Sequence, residues 1–445
     1  MPHPMTTVLR GRPGIVGSRT TSSHAAPPPP LSSPKRRGSR CRSPPPRSFS
    51  SACSSLSRFG GTKEERGRGW PRPPASSSSS SSSAAASNKG FGLLEWAGGI
   101  FPQGAVVKTS KFAWKEMWKT MTRELAPQDE EGAYARPKDA FLTEEQDVPE
   151  GNLVLYTGNA CPWCHRVHLA VKVLGLDQVV RTVLLEDDAE KASRGGWIIA
   201  RRDVKRDPVF MAKDLREVYE GASPSYVGRC TAPLLLDGTQ KRIVSNNSTN
   251  ILRLLNRLAK VHRKEWGAVD LFPTEIKAEI EEMNEYLYSN LCNSVYQAGF
   301  STTQEAHDRA ASKVFLCLDD LEGKLAKQEY LMGSQVTAAD LMAIPTLARF
   351  DAAYAVLFKC SKKRLRDYPN LTRYMRSMFE LEGSFEVFDL QAATNSYYQQ
   401  LFPLNPSGIV PFGPGWEELG IDASSGRTRV APGSDEFKKR FYIIK

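Results

Sequence analysis

Leu153-Val154-Leu155-Tyr156-Thr157-Gly158-Asn159-Ala160-Cys161-Pro162-Trp163-Cys164 is the stretch on which the fold turns. Its first four residues have strand character, and Gly158-Asn159 closes the strand. Pro162 stands where a first-turn proline starts a helix, because its missing N–H would lack an intrahelical partner there anyway. The spacing predicts a helix from Trp163 to about Leu174, with Val167, Leu169, Ala170, Val171 and Leu174 on its apolar side and Gly175 as the stop. A Cys-x-x-Cys pair therefore sits on a strand-to-helix turn. A thiol is a nucleophile only as the thiolate, and the open N–H groups and positive dipole end of a helix start favour that anion. Cys161, just before the helix, is so placed. Cys164, one turn further in, is expected to be better buried and less activated, with His165 and Arg166 adding positive potential nearby. Two other possibilities stand beside this one: a pair of inert thiols, or a zinc site of Cys161, Cys164, His165 and His168. Zinc is disfavoured because its ligand pairs are usually separated by a dozen residues or more, and adjacent Cys164 and His165 cannot easily share one tetrahedral ion.

Outward from this turn, residues 179–185 read as a second strand. Arg229-Cys230-Thr231-Ala232-Pro233 then enters a third, 234–236, and Asp237-Gly238 turns the chain into a fourth, 242–244. Asn247 or Ser248 caps a helix over 249–258. The order β-α-β, a connection with a short helix, then β-β-α is the thioredoxin-like arrangement, here over 151–260. Such a fold needs an X-Pro bond before the third strand whose backbone pairs with an extended thiol peptide, and Ala232-Pro233 is the candidate for a cis bond. The helix start at Asn247-Ser248 could hold a carboxylate or could simply be capped. Residues 273–412 carry 3.6-residue periodicity over 275–291, 304–327, 338–355 and 371–380, predicting an all-helical second domain. Thr337-Ala338-Ala339-Asp340 within it is a helix capping box, a folding feature and not a catalytic carboxylate. Residues 91–150 read as an N-terminal extension with a short amphipathic helix at 112–118, and 413–445 as a polar C-terminal extension.

The net charge of +11 is concentrated at one end. Residues 1–90 hold 15 of the 60 Lys and Arg and only two of the 49 acids, so the rest of the chain stands near neutrality, at −2. A nucleic-acid partner loses its main support. The segment 1–90, with its Pro and Ser runs, cannot bury a core and has the acid-poor, Arg- and Ser-rich composition of a transit peptide. Chloroplast is the expected destination, with mitochondrion or cytoplasm as alternatives. No stretch approaches ~18 consecutive apolar residues, so no membrane span is expected. Of eight cysteines, only 161 and 164 have motif spacing.

The motifs carry a resemblance. The two-domain plan resembles the glutathione transferases, with the α/β thioredoxin-like domain first and the all-α domain second. Cys161-Pro162-Trp163-Cys164-His165-Arg166, Gly195-Gly196-Trp197, Asp214-Leu215-Arg216-Glu217-Val218-Tyr219 and Gly228-Arg229-Cys230-Thr231-Ala232-Pro233 look specifically like the xi class, the glutathionyl-hydroquinone reductases. So do Val295-Tyr296-Gln297-Ala298-Gly299-Phe300, Arg349-Phe350-Asp351, Phe358-Lys359-Cys360, Asp367-Tyr368-Pro369 and Leu404-Asn405-Pro406-Ser407-Gly408. The likeness covers about 110–415, and the plastid-type members with this Cys-Pro-Trp-Cys turn are the nearest in kind.

The resemblance implies glutathione as co-substrate, no metal, and a homodimer. It implies that Cys161 attacks the sulfur of a glutathionyl-hydroquinone. By position, Trp197, Ala232, Pro233, Asn247 and Ser248 would hold glutathione, while Tyr296 and Tyr397 would line the quinol site. The family usually has Ala where this chain has Cys164 and Glu where it has Asn247. Cys164 permits a disulfide with Cys161, so a glutaredoxin-like thioltransferase or dehydroascorbate reductase is the alternative enzyme. A non-catalytic binder of glutathione conjugates or hydrophobic ligands is the second alternative.

Overall fold

The computed structural model describes residues 102–193, 195–199, 207–421 and 430–444; the segment 1–90, read as a transit peptide, lies outside them. The first element, α1 (Gln103–Leu125), is longer than the helix expected over 112–118. Its apolar spacing marks only the middle, where Phe112 and Trp114 are exposed. Anchorage comes later, where Thr122 is buried and Trp118 Nε1 donates to the Pro403 carbonyl at 2.9 Å.

The α/β domain follows as β1 (Leu153–Gly158), α2 (Pro162–Val173), β2 (Val180–Asp187), β3 (Trp197–Ile199), α3 (Leu215–Ala222), β4 (Leu234–Asp237), β5 (Arg242–Ser245) and α4 (Ser248–Val261). The described strands form a sheet in the order β3-β2-β1-β4-β5, with β1 parallel to β2 and antiparallel to β4. Central β1 and β4 are buried along their whole length, which is why they read as continuous apolar runs. The pleat still sorts their side chains. Leu153, Leu155 and Leu235 join α2 and α4 in one core, while Val154, Tyr156, Leu234 and Leu236 join Leu215, Val218 and Tyr219 of α3 in another. Strand β3 escaped the sequence pattern. It is three residues long and follows Gly195 and Gly196, both at positive φ, a conformation that suits glycine.

After the short β6 (Ala268–Asp270), the chain becomes helical: α5 (Lys277–Leu287), α6 (Ser294–Gly299), α7 (Gln304–Leu325), α8 (Ala338–Arg349), α9 (Pro369–Phe379) and α10 (Leu390–Gln400). Two breaks in the 3.6-residue pattern are π turns, Tyr288–Cys292 and Phe350–Tyr354. Helix α8 is buried over all its residues and packs against α2, so it is the spine that joins the domains. Its start is the capping box expected from sequence. The Asp340 carboxylate accepts from the N–H of Thr337 at 2.8 Å and of Leu331 at 2.9 Å, and from the Tyr374 hydroxyl at 3.1 Å. Burial pushes this carboxyl up to about 6, against the pull of those bonds. The described part of 413–445 folds back on the domain: α11 (Asp435–Arg440) leads into β7 (Tyr442–Ile444), which pairs antiparallel with β6.

Candidate active site

Cys161 is the N-cap of α2, with extended backbone, and its sulfur accepts the Cys164 N–H at 3.3 Å. Pro162 follows as the first helical residue, so the sequence itself fixes where the helix begins. Half-burial pushes the Cys161 thiol up. The Cys164 thiol and N–H, with the Arg349 and Arg136 guanidinium groups, outweigh it and bring the thiol down from 9.0 to about 7. Cys164 is fully buried, and burial together with the neighbouring Cys161 sulfur pushes its own thiol well above the ordinary range. The two thiols are therefore unequal: Cys161 is the more readily ionised, and Cys164 is a donor to it.

Of the two residues expected to add positive potential, Arg166 carries charge near Cys161 and His165 does not. His165 is buried, and burial with the adjacent Arg349 charge holds its pKa well below 6.5, so it is a neutral ring. The cation on that side is Arg349, from the last residue of α8. Its Nη2 donates to the Asn159 carbonyl at 2.6 Å and its Nε to the Ala160 carbonyl at 3.1 Å; Nη1 meets His165 Nδ1 at 3.1 Å. Phe388 stacks on its plane, 4.1 Å from centroid to Cζ. Asn159 is also clamped by the start of α10, through Asp389 N to Asn159 Oδ1 at 2.9 Å and Asn159 Nδ2 to Asp389 O at 2.8 Å. The second domain thus grips the backbone of the turn that carries Cys161.

The guanidinium groups of Arg136 and Arg166 both lie over the Trp163 ring, 4.2 Å and 4.7 Å from its centroid. The Ala232-Pro233 bond is cis, and the Ala232 carbonyl lies 3.6 Å from Cys161 Sγ. The preceding Thr231 carbonyl is held by the Tyr219 hydroxyl at 2.9 Å. Trp197 lies against Gly158, where a Cβ would overlap its ring. At α4 the cap is Asn247: its Oδ1 accepts the Asn250 N–H at 2.8 Å, and its Nδ2 donates to Asp139 at 2.7 Å. Ser248 is the first helical residue, and its Oγ accepts from Arg166 Nη1 at 3.3 Å. Cys161, Trp163 and Ala232 are directly assembled, and Ser248 is joined to them through Arg166.

Tyr296 and Tyr397, both named from sequence, share a hydrogen bond of 2.6 Å, and Tyr354 completes the cluster at 2.9 Å from Tyr397. Burial and the neighbouring phenols push Tyr296 well above 10. The cluster lies beside the Cys-Pro-Trp-Cys helix start: Trp163 and Tyr296 ring centroids are 6.4 Å apart. Tyr354, Arg349 and Arg136 were not among the residues named from sequence; only Arg349 lay in a matched motif. Among the described residues no group of three or more His, Cys, Asp or Glu is arranged to hold a metal ion, and no helix is long and apolar enough to cross a membrane.

A thiol of lowered pKa at a helix N-cap, a cis proline beside it and a helical domain packed on that helix define a known architecture. The glutathione S-transferase N-terminal domain model matches residues 160–258, and the C-terminal domain model matches 304–377. The glutathionyl-hydroquinone reductase PcpF of Sphingobium chlorophenolicum is 38% identical over 277 residues, covering 62% of this chain and 87% of that protein. Among solved structures, the glutathione-S-transferase Xi from Phanerochaete chrysosporium superposes with a TM-score of 0.59 at 32% identity, over 63% of this chain and 97% of that one. The glutathione-bound structure of YqjG from Escherichia coli K-12 gives 0.56 at 32% identity, over 64% and 95%. The chain belongs to the glutathione S-transferase superfamily, as an enzyme of the xi or thioltransferase type.

Proposed function

We propose that this chain is a glutathione-dependent reductase that removes glutathione from glutathionyl-hydroquinones, with Cys161 as the nucleophile. The observation that carries the reading is the Cys161 sulfur itself, capped by the Cys164 N–H and lowered to about 7. In the first step the Cys161 thiolate attacks the glutathione sulfur. The aryl C–S bond breaks with its electron pair going to the ring carbon, which takes a proton, and the hydroquinone leaves. A second glutathione thiolate then attacks the Cys161–glutathione disulfide, giving oxidised glutathione and regenerating the Cys161 thiolate. The net change replaces the aryl C–S bond by C–H and joins the thioether sulfur and one glutathione thiol as the disulfide of oxidised glutathione. Trp197, the Ala232 backbone before Pro233, and the α4 start at Asn247 and Ser248 are the residues assigned to glutathione. On this reading the hydroxyls of Tyr296 and Tyr397 hydrogen-bond the hydroquinone oxygens. The similarity to a hydroquinone reductase and to a glutathione-bound relative supports this assignment.

A second reading, thioltransferase activity on mixed disulfides, is favoured by the Cys164 thiol beside Cys161. Steady-state turnover by the purified chain decides between them, using glutathione with either glutathionyl-menadiol or a small glutathione mixed disulfide. Turnover of the first, abolished in Cys161→Ser, is the expected result. Turnover of the mixed disulfide alone moves the assignment to the second reading, and turnover of neither removes both. For residues 1–90, composition supports a plastid transit segment, which import into isolated chloroplasts with loss of the segment would test.

A further inference from the structure

Arg349, Arg166 and Arg136 carry charge near Cys161, and the first two have their N–H groups committed. Arg349 donates to the carbonyls of Asn159, Ala160 and Pro345. Arg166 is fully buried and donates to Ser248 Oγ and the Met342 carbonyl. Arg136 differs. It is half-buried, and among the described residues its guanidinium makes no hydrogen bond and no ion pair. It lies over the Trp163 ring, 4.2 Å from the centroid, and its charge favours the Cys161 thiolate. The same ring stands 5.9 Å from Tyr288 and 6.4 Å from Tyr296, the phenol read from sequence as lining the quinol site. The chain on either side of Arg136 is fixed: Ala135 N donates to the Pro127 carbonyl at 2.8 Å, and Phe141 N to Asn246 Oδ1 at 3.1 Å. The unused donors of one planar cation are thus held beside the Cys-Pro-Trp-Cys helix start, and their chemistry fits an oxyanion.

The reaction proposed above produces one. A carbanion localised on the ring carbon is too basic to leave from sulfur. The charge departs on oxygen when a hydroxyl proton of the ring moves first to the carbon that bears sulfur, leaving a carbonyl on the ring. As the Cys161 thiolate takes the glutathione sulfur, the C–S pair enters the ring as a C=C bond and the carbonyl pair moves to its oxygen. The hydroquinone leaves as a phenolate, which takes a proton from water afterwards. Tyr296 and Tyr397 are weaker partners for this charge, because their neutral hydroxyls bond each other at 2.6 Å and Tyr397 also meets Tyr354 at 2.9 Å. A charge-assisted hydrogen bond is about twice as strong as a neutral one, and it contributes most where charge develops during the reaction. We propose that Arg136 is a catalytic residue that binds the departing hydroquinone oxygen and stabilises its charge as the C–S bond breaks. The assignment rests on the hydroquinone reading and goes beyond it, since it makes the N-terminal extension part of the reaction.

The test is single-turnover release of hydroquinone by the full chain and by Arg136→Gln and Arg136→Lys. The substrates are glutathionyl conjugates of methyl-, unsubstituted and fluoro-hydroquinone, so that the leaving phenolate becomes progressively less basic. Two controls report on the thiolate alone: a small glutathione mixed disulfide, whose leaving group is a thiolate, and the pH profile of Cys161 alkylation. Arg136→Gln is expected to release unsubstituted hydroquinone about tenfold or more slowly, the range of a hydrogen bond to a charged group. Its loss should be largest for the methyl conjugate and smallest for the fluoro conjugate, and Arg136→Lys should recover part of it. Its mixed-disulfide turnover should fall no further than its alkylation rate at the same pH. Release at the wild-type rate overturns the proposal. So does a loss that is equal for every ring and for the mixed disulfide, which makes Arg136 a support for the thiolate alone. Should Arg136→Gln fail to fold, Arg136→Lys decides by the same dependence on the ring. A wild type that releases hydroquinone from no conjugate defeats the function reading itself, a result distinct from the others.

Discussion

Cys164→Ala separates the two thiols by a measurable amount. The substitution deletes the thiol that donates to Cys161 and keeps the Cys164 backbone N–H at 3.3 Å, the α2 start and the two nearby guanidinium groups. A sulfur donor is weak, so its bond to a thiolate is set at about 1 kcal/mol, which is ~0.7 on the pH scale. The Cys161 midpoint near 7 should therefore rise to about 7.7. The thiolate fraction at pH 6.5 then falls from about a quarter to about one-seventeenth, a loss of about fourfold, while above pH 9 the two proteins converge. Their plateaus stay close, because the more basic thiolate is slightly the better nucleophile. The assay is the rate of iodoacetamide alkylation across pH, with mass spectrometry locating the adduct on Cys161. An unchanged or lowered midpoint in Cys164→Ala would refute the view that Cys164 serves Cys161 as a hydrogen-bond donor, as would an adduct on Cys164 in the wild type.

Other expectations follow from the same geometry. Arg349→Met should raise the alkylation midpoint by roughly half to one on the pH scale, since it removes a cation beside the thiolate; Arg349→Lys should shift it less while lowering kcat, because the two tethers to the Asn159 and Ala160 carbonyls are lost. Tyr397→Phe removes the hydroxyl shared by Tyr296 and Tyr354, and kcat/KM for a glutathionyl-hydroquinone should fall by about tenfold with glutathione KM unchanged. Asp340→Ala strips the buried cap of α8 and should cost about 2–4 kcal/mol in denaturant unfolding, leaving turnover per folded molecule intact.

The α/β domain was legible because its signals are local. Apolar runs bounded by Gly158, Gly175 and Gly238 give the strands and turns, and Pro162 alone places the helix start within a residue. Strand β3 had no such signal: three residues are too few to show a period, and its place at the sheet edge is set by pairing with β2. The ends of α1 were missed for a related reason, since the helix is anchored by the distant Pro403 carbonyl and not by an apolar stripe. Within the site, Cys161 could be found from its own neighbours in sequence. Its electrostatic partners could not, because Arg349 lies 188 residues away and acts on carbonyls that no pattern marks. His165 shows the converse: adjacency suggested a charge, and burial removes it.

The hold of Arg349 on the turn before Cys161 has a consequence for how this protein can be divided. A fragment ending after Val261 would retain the sheet, the cis proline and the whole Cys-Pro-Trp-Cys motif. It would lose the cation that steadies the thiolate, the tethers on Asn159, and the packing of α8 against α2. The lowered pKa of the Cys161 thiol is thus joint property of the two halves. A gene cut at that boundary yields a scaffold whose Cys161 thiol keeps the Cys164 donors but lacks the Arg349 charge and the clamp on its turn.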